Sequence, residues 1–190
     1  MSVTGRPTKH EIAAAAGKHV PDLIAPNLRI LFCGINPSLY SAAVGHHFAR
    51  PGNRFWPTLY AAGFTERLLK PADEQELLAQ GYGISNLADR ATARADELLP
   101  TELVEGHAQL LAKIAHYRPQ VLAVLGVSAY RTAFARPKAV IGRQAEQIGQ
   151  TALWVLPNPS GLNAHYQLAD LAQVFREARL AIEGNRLTNG

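Results

Sequence analysis

The sequence predicts an α/β fold in which a mostly parallel sheet is covered by helices on both faces, and three observations lead there. Four short apolar runs, from Arg29 to Cys33, Gly83 to Leu87, Val121 to Leu125 and Leu153 to Leu156, are too short for typical helices and are bounded by breakers, as buried strands are. Stretches with a helical apolar period lie between them, and strand alternating with helix favours a parallel sheet sandwiched by helices. Each run is also followed at once by a glycine- or polar-rich segment, and ligands of such sheets bind outside the carboxyl ends of the strands.

In chain order, Thr8-Lys9-His10-Glu11 reads as a capping box that starts a helix over about 9–16, ending near Gly17. The first strand runs into Gly34-Ile35-Asn36-Pro37-Ser38, where Pro37 forces Asn36 out of helical geometry and Gly34 permits close approach of another group. A helix over Gln75 to Gln80 precedes the second strand, which ends at Ala88-Asp89-Arg90. Glu102 to Tyr117 carries leucine, isoleucine and valine at near-helical spacing and leads to the third strand, followed by Gly126-Val127-Ser128 and a short helix to Phe134. The fourth strand opens into Pro157-Asn158-Pro159-Ser160-Gly161-Leu162, and an amphipathic helix over Gln167 to Glu183 closes the chain. Residues 1–7 and the tail from Gly184, chiefly 185–190, carry no apolar period and are expected to be loose ends.

Composition bounds the function. With 190 residues and 47% hydrophobic content, the whole chain, 1–190, is expected to form one domain. No window approaches a membrane-spanning length of roughly 18 apolar residues, and the N-terminus lacks signal-peptide order. A soluble cytoplasmic protein without a membrane partner is therefore expected. The single Cys33 excludes an iron–sulfur cluster and a cysteine-based zinc site, and the histidines are scattered apart from His46-His47, so no metal site is expected. A net charge of +4 permits a polyanionic partner without requiring one.

Several residues carry candidate chemistry. Asn36 is held at a strand tip, although Asn-Pro also serves as an ordinary turn. The segment from His46 to Trp56 mixes aromatic and basic residues. Phe48, isolated from any apolar period, is the candidate for stacking on a base, and Arg50 and Arg54 are candidates for phosphates. Phe55 and Trp56 read instead as core anchors of a following helix. Asp89 is either an exposed carboxylate or a water-activating base, and Leu162, among turn residues, either packs under its own loop or wedges into a base stack.

Taken in order, Phe32-Cys33-Gly34-Ile35-Asn36-Pro37, His46 to Trp56, Gly83 to Thr92 and Leu156 to Leu162 resemble the motifs of the mismatch-specific uracil/thymine DNA glycosylases, a branch of the uracil-DNA glycosylase superfamily. The likeness runs from about Asp22 to Arg179. It implies a three-layer α/β/α domain with a four-stranded, mostly parallel sheet, working as a monomer without metal or organic cofactor on double-stranded DNA that contains G·U or related mismatches. Asn36 would position the water that attacks the sugar, with Asp89 as a second catalytic candidate. Gly34, Ile35, Ser41, Phe48 and Asn86 would line the base pocket. Asn158, Ser160, Gly161, Leu162 and Asn163 would enter the duplex and address the widowed guanine, with Arg50 and Arg54 on the backbone.

The sequence departs from the family pattern at Ser38, where glycine is usual, at the bulky Tyr40, at Asn163-Ala164, which replaces a serine–arginine pair, and at Asn86, where one bacterial relative has lysine. Two rival readings keep the same sheet. A flavodoxin-like small-molecule-binding domain needs no wedge, and a non-catalytic mismatch sensor binds a G·U duplex without releasing the base. No lysine lies in the four strand-end loops, so hydrolysis to an abasic site is expected rather than strand cleavage.

Overall fold

The computed structural model describes residues 6–187. Its centre is a sheet of five strands: β1 (Ile30–Gly34), β2 (Tyr82–Asn86), β3 (Val121–Leu125), β4 (Gly142–Ile148) and β5 (Thr151–Leu156). Their order is β2-β1-β3-β5-β4, with all neighbours parallel except β4, which runs antiparallel to β5. The four expected strands are present. The fifth, β4, is a correction to the strand count: its side chains alternate between half-buried and exposed, so it lacks the continuous apolar run of a strand covered on both faces.

Side chains alternate across the sheet and build two cores, giving three layers. Ile30, Phe32, Ile84 and Leu125 face α3 (Phe55–Ala61) and the C-terminal helix α7 (Leu168–Leu187), packing with Phe55, Leu59, Leu171 and Phe175. Leu31, Cys33, Leu122, Val124 and Val155 face α5 (Pro100–Tyr117) and α6 (Val127–Ala133), packing with Leu110, Ile114 and Tyr130. Phe32 is the hub of the first core, with edge-on contacts to Phe55 and Phe64 at centroid distances of 5.5 and 5.6 Å. Such aromatic pairs add roughly 0.5–1.5 kcal/mol each beyond the area they bury.

The remaining helices are short: α1 (Lys9–Ala13), α2 (Leu39–Val44) and α4 (Glu74–Ala79). The capping box of α1 is formed, with the Thr8 hydroxyl accepting from the Glu11 amide and the Glu11 carboxylate accepting from the Thr8 amide. The helix α2 has no counterpart in the sequence reading, since six residues with a single buried side chain show no apolar face. Ser38 caps it, its Oγ accepting from the Ser41 amide at 3.1 Å, which gives this departure from the usual glycine a structural use. Helix α7 continues through Gly184 to Leu187, where the sequence suggested a loose end; 1–5 and 188–190 lie outside the described residues. Among the described residues no helix is long and apolar enough to cross a membrane.

One close approach sets the site. A Cβ on Gly106, in the middle of α5, would lie 1.6 Å from the Leu87 carbonyl oxygen. Glycine inside a helix costs about 1 kcal/mol relative to alanine. Here it lets α5 press directly against the backbone leaving β2, fixing the segment that carries Asp89 to Thr92.

Candidate active site

A cavity of about 90 Å³ opens outside the carboxyl ends of β1, β2 and β5, lined by Gly34 to Ser38, Ser41, His47, Phe48, Arg50, Asn53, Asn86, Thr92 to Ala95, Asn158, Ser160 and Leu162. That is well below the roughly 300–1,000 Å³ of sites for drug-sized ligands and suits one small ring. A larger concavity of about 680 Å³ lies beside it, sharing Ile35, Arg94, Ala95, Asn158, Ser160 and Leu162. The smaller one holds the convergent polar groups.

Asn36 sits at the first strand tip with its carboxamide fixed. Its Nδ2 donates to the Arg90 carbonyl at 2.8 Å and to Thr92 Oγ1 at 2.7 Å. A carbonyl can only accept, so the nitrogen must point that way. Both amide protons are spent, and Oδ1 is left as an acceptor without a partner among the described residues. Thr92 is itself anchored: its hydroxyl donates to the Arg94 carbonyl at 2.7 Å, its amide to Pro37, and its carbonyl accepts from Leu39.

The cavity floor depends on Gly34. It stands opposite Asn86 in the β1–β2 register, and a Cβ there would lie 2.7 Å from Asn86 Oδ1 and 3.2 Å from Phe48 Cζ. Glycine therefore lets the Asn86 carboxamide and the Phe48 ring close over the strand. Asn86 is 6% exposed, and its carboxamide has no hydrogen-bond partner among the described residues. Asn86 lines the cavity, and its amide atoms are not among the fully buried unpaired ones, so the carboxamide can pair with water or with a molecule that enters there.

Phe48 forms the opposite wall. Its backbone is left-handed, with φ +53°, an uncommon state for a bulky residue. Neighbours impose it. The His47 amide donates to Glu74 at 3.3 Å, the Ala49 amide to Ser41 Oγ at 3.0 Å, and the Trp56 indole to the His47 carbonyl at 3.1 Å. Phe55 stacks on one face of Phe48 at 4.0 Å between centroids, so the ring bordering the cavity is backed by the core. Phe55 and Trp56 are buried core anchors, as their place at the start of a helix suggested. Ser41 lines the cavity, but its hydroxyl is committed to Ala49 and Ser38. The amides of Ile35 and Phe48 donate to no described residue.

Buried His47 donates through Nε2 to the Pro21 carbonyl, 2.9 Å away, so Nε2 carries a proton. Burial holds its pKa below the ordinary histidine value, against the opposing pull of the Pro21 bond, Glu74 and Asp22. Among the described residues no three His, Cys, Asp or Glu side chains are grouped to hold a metal ion.

The loop after β5 is braced internally. Asn158 Oδ1 accepts from the Ser160 amide, Ser160 Oγ from the Leu162 amide, and Asn163 Nδ2 donates to the Asn158 carbonyl. These bonds leave Leu162 projecting, 60% exposed, rather than packed under its loop.

Two expected site residues stand elsewhere. Asp89 is exposed and is absent from the lining of the Asn36 cavity, although its neighbour Arg90 lends a carbonyl to Asn36. Arg54 faces inward: its guanidinium donates to the carbonyls of Tyr166, Ser160 and Asn163, so it is not displayed for a phosphate. Arg50 remains exposed at the rim with no ion pair among the described residues. Thr92 and Arg94 were not singled out in the sequence; Thr92 falls in the recognised Gly83 to Thr92 motif, but only the fold brings it to Asn36.

A family model for the uracil DNA glycosylase superfamily matches residues 21–181. Among solved structures, the solution NMR structure of a candidate uracil DNA glycosylase from Methanosarcina acetivorans is similar in fold, with a TM-score of 0.57, 19% identity, and coverage of 86% of this chain and 98% of that one. The match spans β1 through most of α7 and takes in every strand-end loop that builds the cavity: this chain belongs to the uracil DNA glycosylase superfamily.

Proposed function

We propose that the protein is a monofunctional DNA glycosylase that removes uracil from mispaired DNA by flipping the base into the Asn36 cavity and hydrolysing its glycosidic bond. Superfamily membership supports DNA glycosylase activity in general; the finer reading rests on the site. The observation that carries it is the locked Asn36 carboxamide, whose spent Nδ2 leaves Oδ1 as an acceptor at the cavity's edge.

Breaking the bond makes the base an anion and the sugar an oxocarbenium-like cation. The undonated Ile35 and Phe48 amides suit the developing anion, and one preorganised donor of this kind contributes roughly 10²–10³ in rate. Phe48 offers a rigid stacking face, and Asn86 can donate and accept along the polar edge of uracil. Oδ1 of Asn36 holds the attacking water; a carboxamide is a feeble base, so the departing anion supplies most of the drive and the reaction is slow. No lysine lines the cavity among the described residues, which favours water as nucleophile and an abasic site as product.

Leu162 is the candidate wedge, and Arg50 a phosphate contact. Extrusion costs a few kcal/mol and least at a mismatch, so a G·U pair favours its own recognition. The test is uracil release by the purified protein from G·U and A·U duplexes and from single strands: faster release from G·U supports the mismatch reading, and equal rates refute it.

A further inference from the structure

Arg54 joins two loops that are far apart in sequence. From the start of α3 its guanidinium reaches the carbonyls of Ser160, Asn163 and Tyr166, and its own amide donates to the Pro159 carbonyl at 2.9 Å. Its Nε is buried without a partner, so the group is drawn out of water into this contact. The loops touch again where a Cβ on Gly161 would lie 2.6 Å from the Gly52 carbonyl oxygen. The segment bearing Phe48 and the segment bearing Leu162 are thus one clamped unit.

We infer that Arg54 is a positioning residue for base extrusion: by gathering carbonyls on either side of Leu162 it fixes the wedge relative to Phe48, so that entry into the duplex and reception of the base are geometrically coupled. This rests on the glycosylase reading above. A planar guanidinium donates along several fixed directions, which a lysine ammonium at the same place cannot reproduce. Loss of the clamp leaves Leu162 on a free loop and lowers the fraction of encounters that seat the base.

The experiment compares wild type with Arg54→Lys, Arg54→Gln, Gly161→Ala and Leu162→Ala, using single-turnover uracil release from a G·U duplex, duplex affinity as a function of salt, and thermal melting to establish folding. Wild type should release uracil, Leu162→Ala should fall at least tenfold, and both Arg54 variants should fall comparably. Arg54→Gln should keep the wild-type salt slope, and combining it with Leu162→Ala should add little. Gly161→Ala, which separates the loops without touching a charge, should fall similarly and keeps the test open if the Arg54 variants do not fold. A direct phosphate contact predicts instead that Lys restores activity and that Gln lowers the salt slope by about one; either result overturns the inference while leaving the glycosylase reading intact. Wild-type activity in Leu162→Ala removes the wedge and the inference with it. A wild type that releases no uracil refutes the underlying reading first.

Discussion

Asn36 Nδ2 lies 2.7 Å from Thr92 Oγ1, and that hydroxyl in turn donates to the Arg94 carbonyl. Two segments separated by more than fifty residues in sequence thereby fix which atom of Asn36 faces the cavity. Thr92 is 3% exposed, so the bond is largely shielded from solvent. Thr92→Val, similar in shape, is expected to lower the single-turnover rate roughly tenfold, the worth of about one hydrogen bond, with little change in substrate affinity. Thr92→Ser should retain most of the rate. Equal rates in Val and Thr would show that Asn36 is oriented by other means.

Gly34→Ala tests the cavity floor. The added methyl meets Asn86 Oδ1 and the Phe48 ring, one wall of which is backed by Phe55 and cannot retreat. Overpacking of this kind costs about 1–3 kcal/mol. Activity should fall by more than tenfold, with weaker binding of a uracil-containing duplex, and unchanged kinetics would mean that the base does not enter here.

Asp89→Ala should leave the rate within about twofold of wild type, as expected of an exposed side chain that does not line the cavity. A large loss in rate at unchanged melting temperature would return Asp89 to the catalytic set.

Much of this arrangement is legible in the sequence. The four central strands show as apolar runs because both faces are buried, and their polar tips identify Asn36 and the 158–163 loop as neighbours in space. The misses share a cause: they depend on tertiary partners. Strand β4 is half exposed and polar, α2 buries only Ser41, and Arg54 has the same local sequence whether it faces a phosphate or three carbonyls. Thr92 becomes informative only once α5, through Gly106, has pressed the chain after β2 against β1.

Gly106→Ala should therefore reach the site through packing. Its Cβ has no room beside the Leu87 carbonyl, and a backbone atom cannot rotate away. The gain of about 1 kcal/mol in helix propensity is outweighed. A net loss of roughly 2 kcal/mol or more is expected in denaturant unfolding; a stabilised variant would contradict the close approach.

His47 gives the fold a pH dependence of definite sign. Its folded pKa lies below the unfolded value of 6.5, so the unfolded chain binds the extra proton first. The contribution to stability is complete above about 6.5 and is lost as the pH falls toward the folded pKa. Melting temperature measured across this range should fall less steeply in His47→Gln than in wild type; parallel curves would remove His47 as the source.

Single-turnover release of uracil from a G·U duplex, compared between wild type and Asn36→Ala, reads the part played by the Asn36 carboxamide. Wild type is expected to release free uracil and leave an intact abasic strand, and the variant to lose about a hundredfold or more in rate with its melting temperature preserved. Wild-type release that survives unchanged in Asn36→Ala would contradict that part.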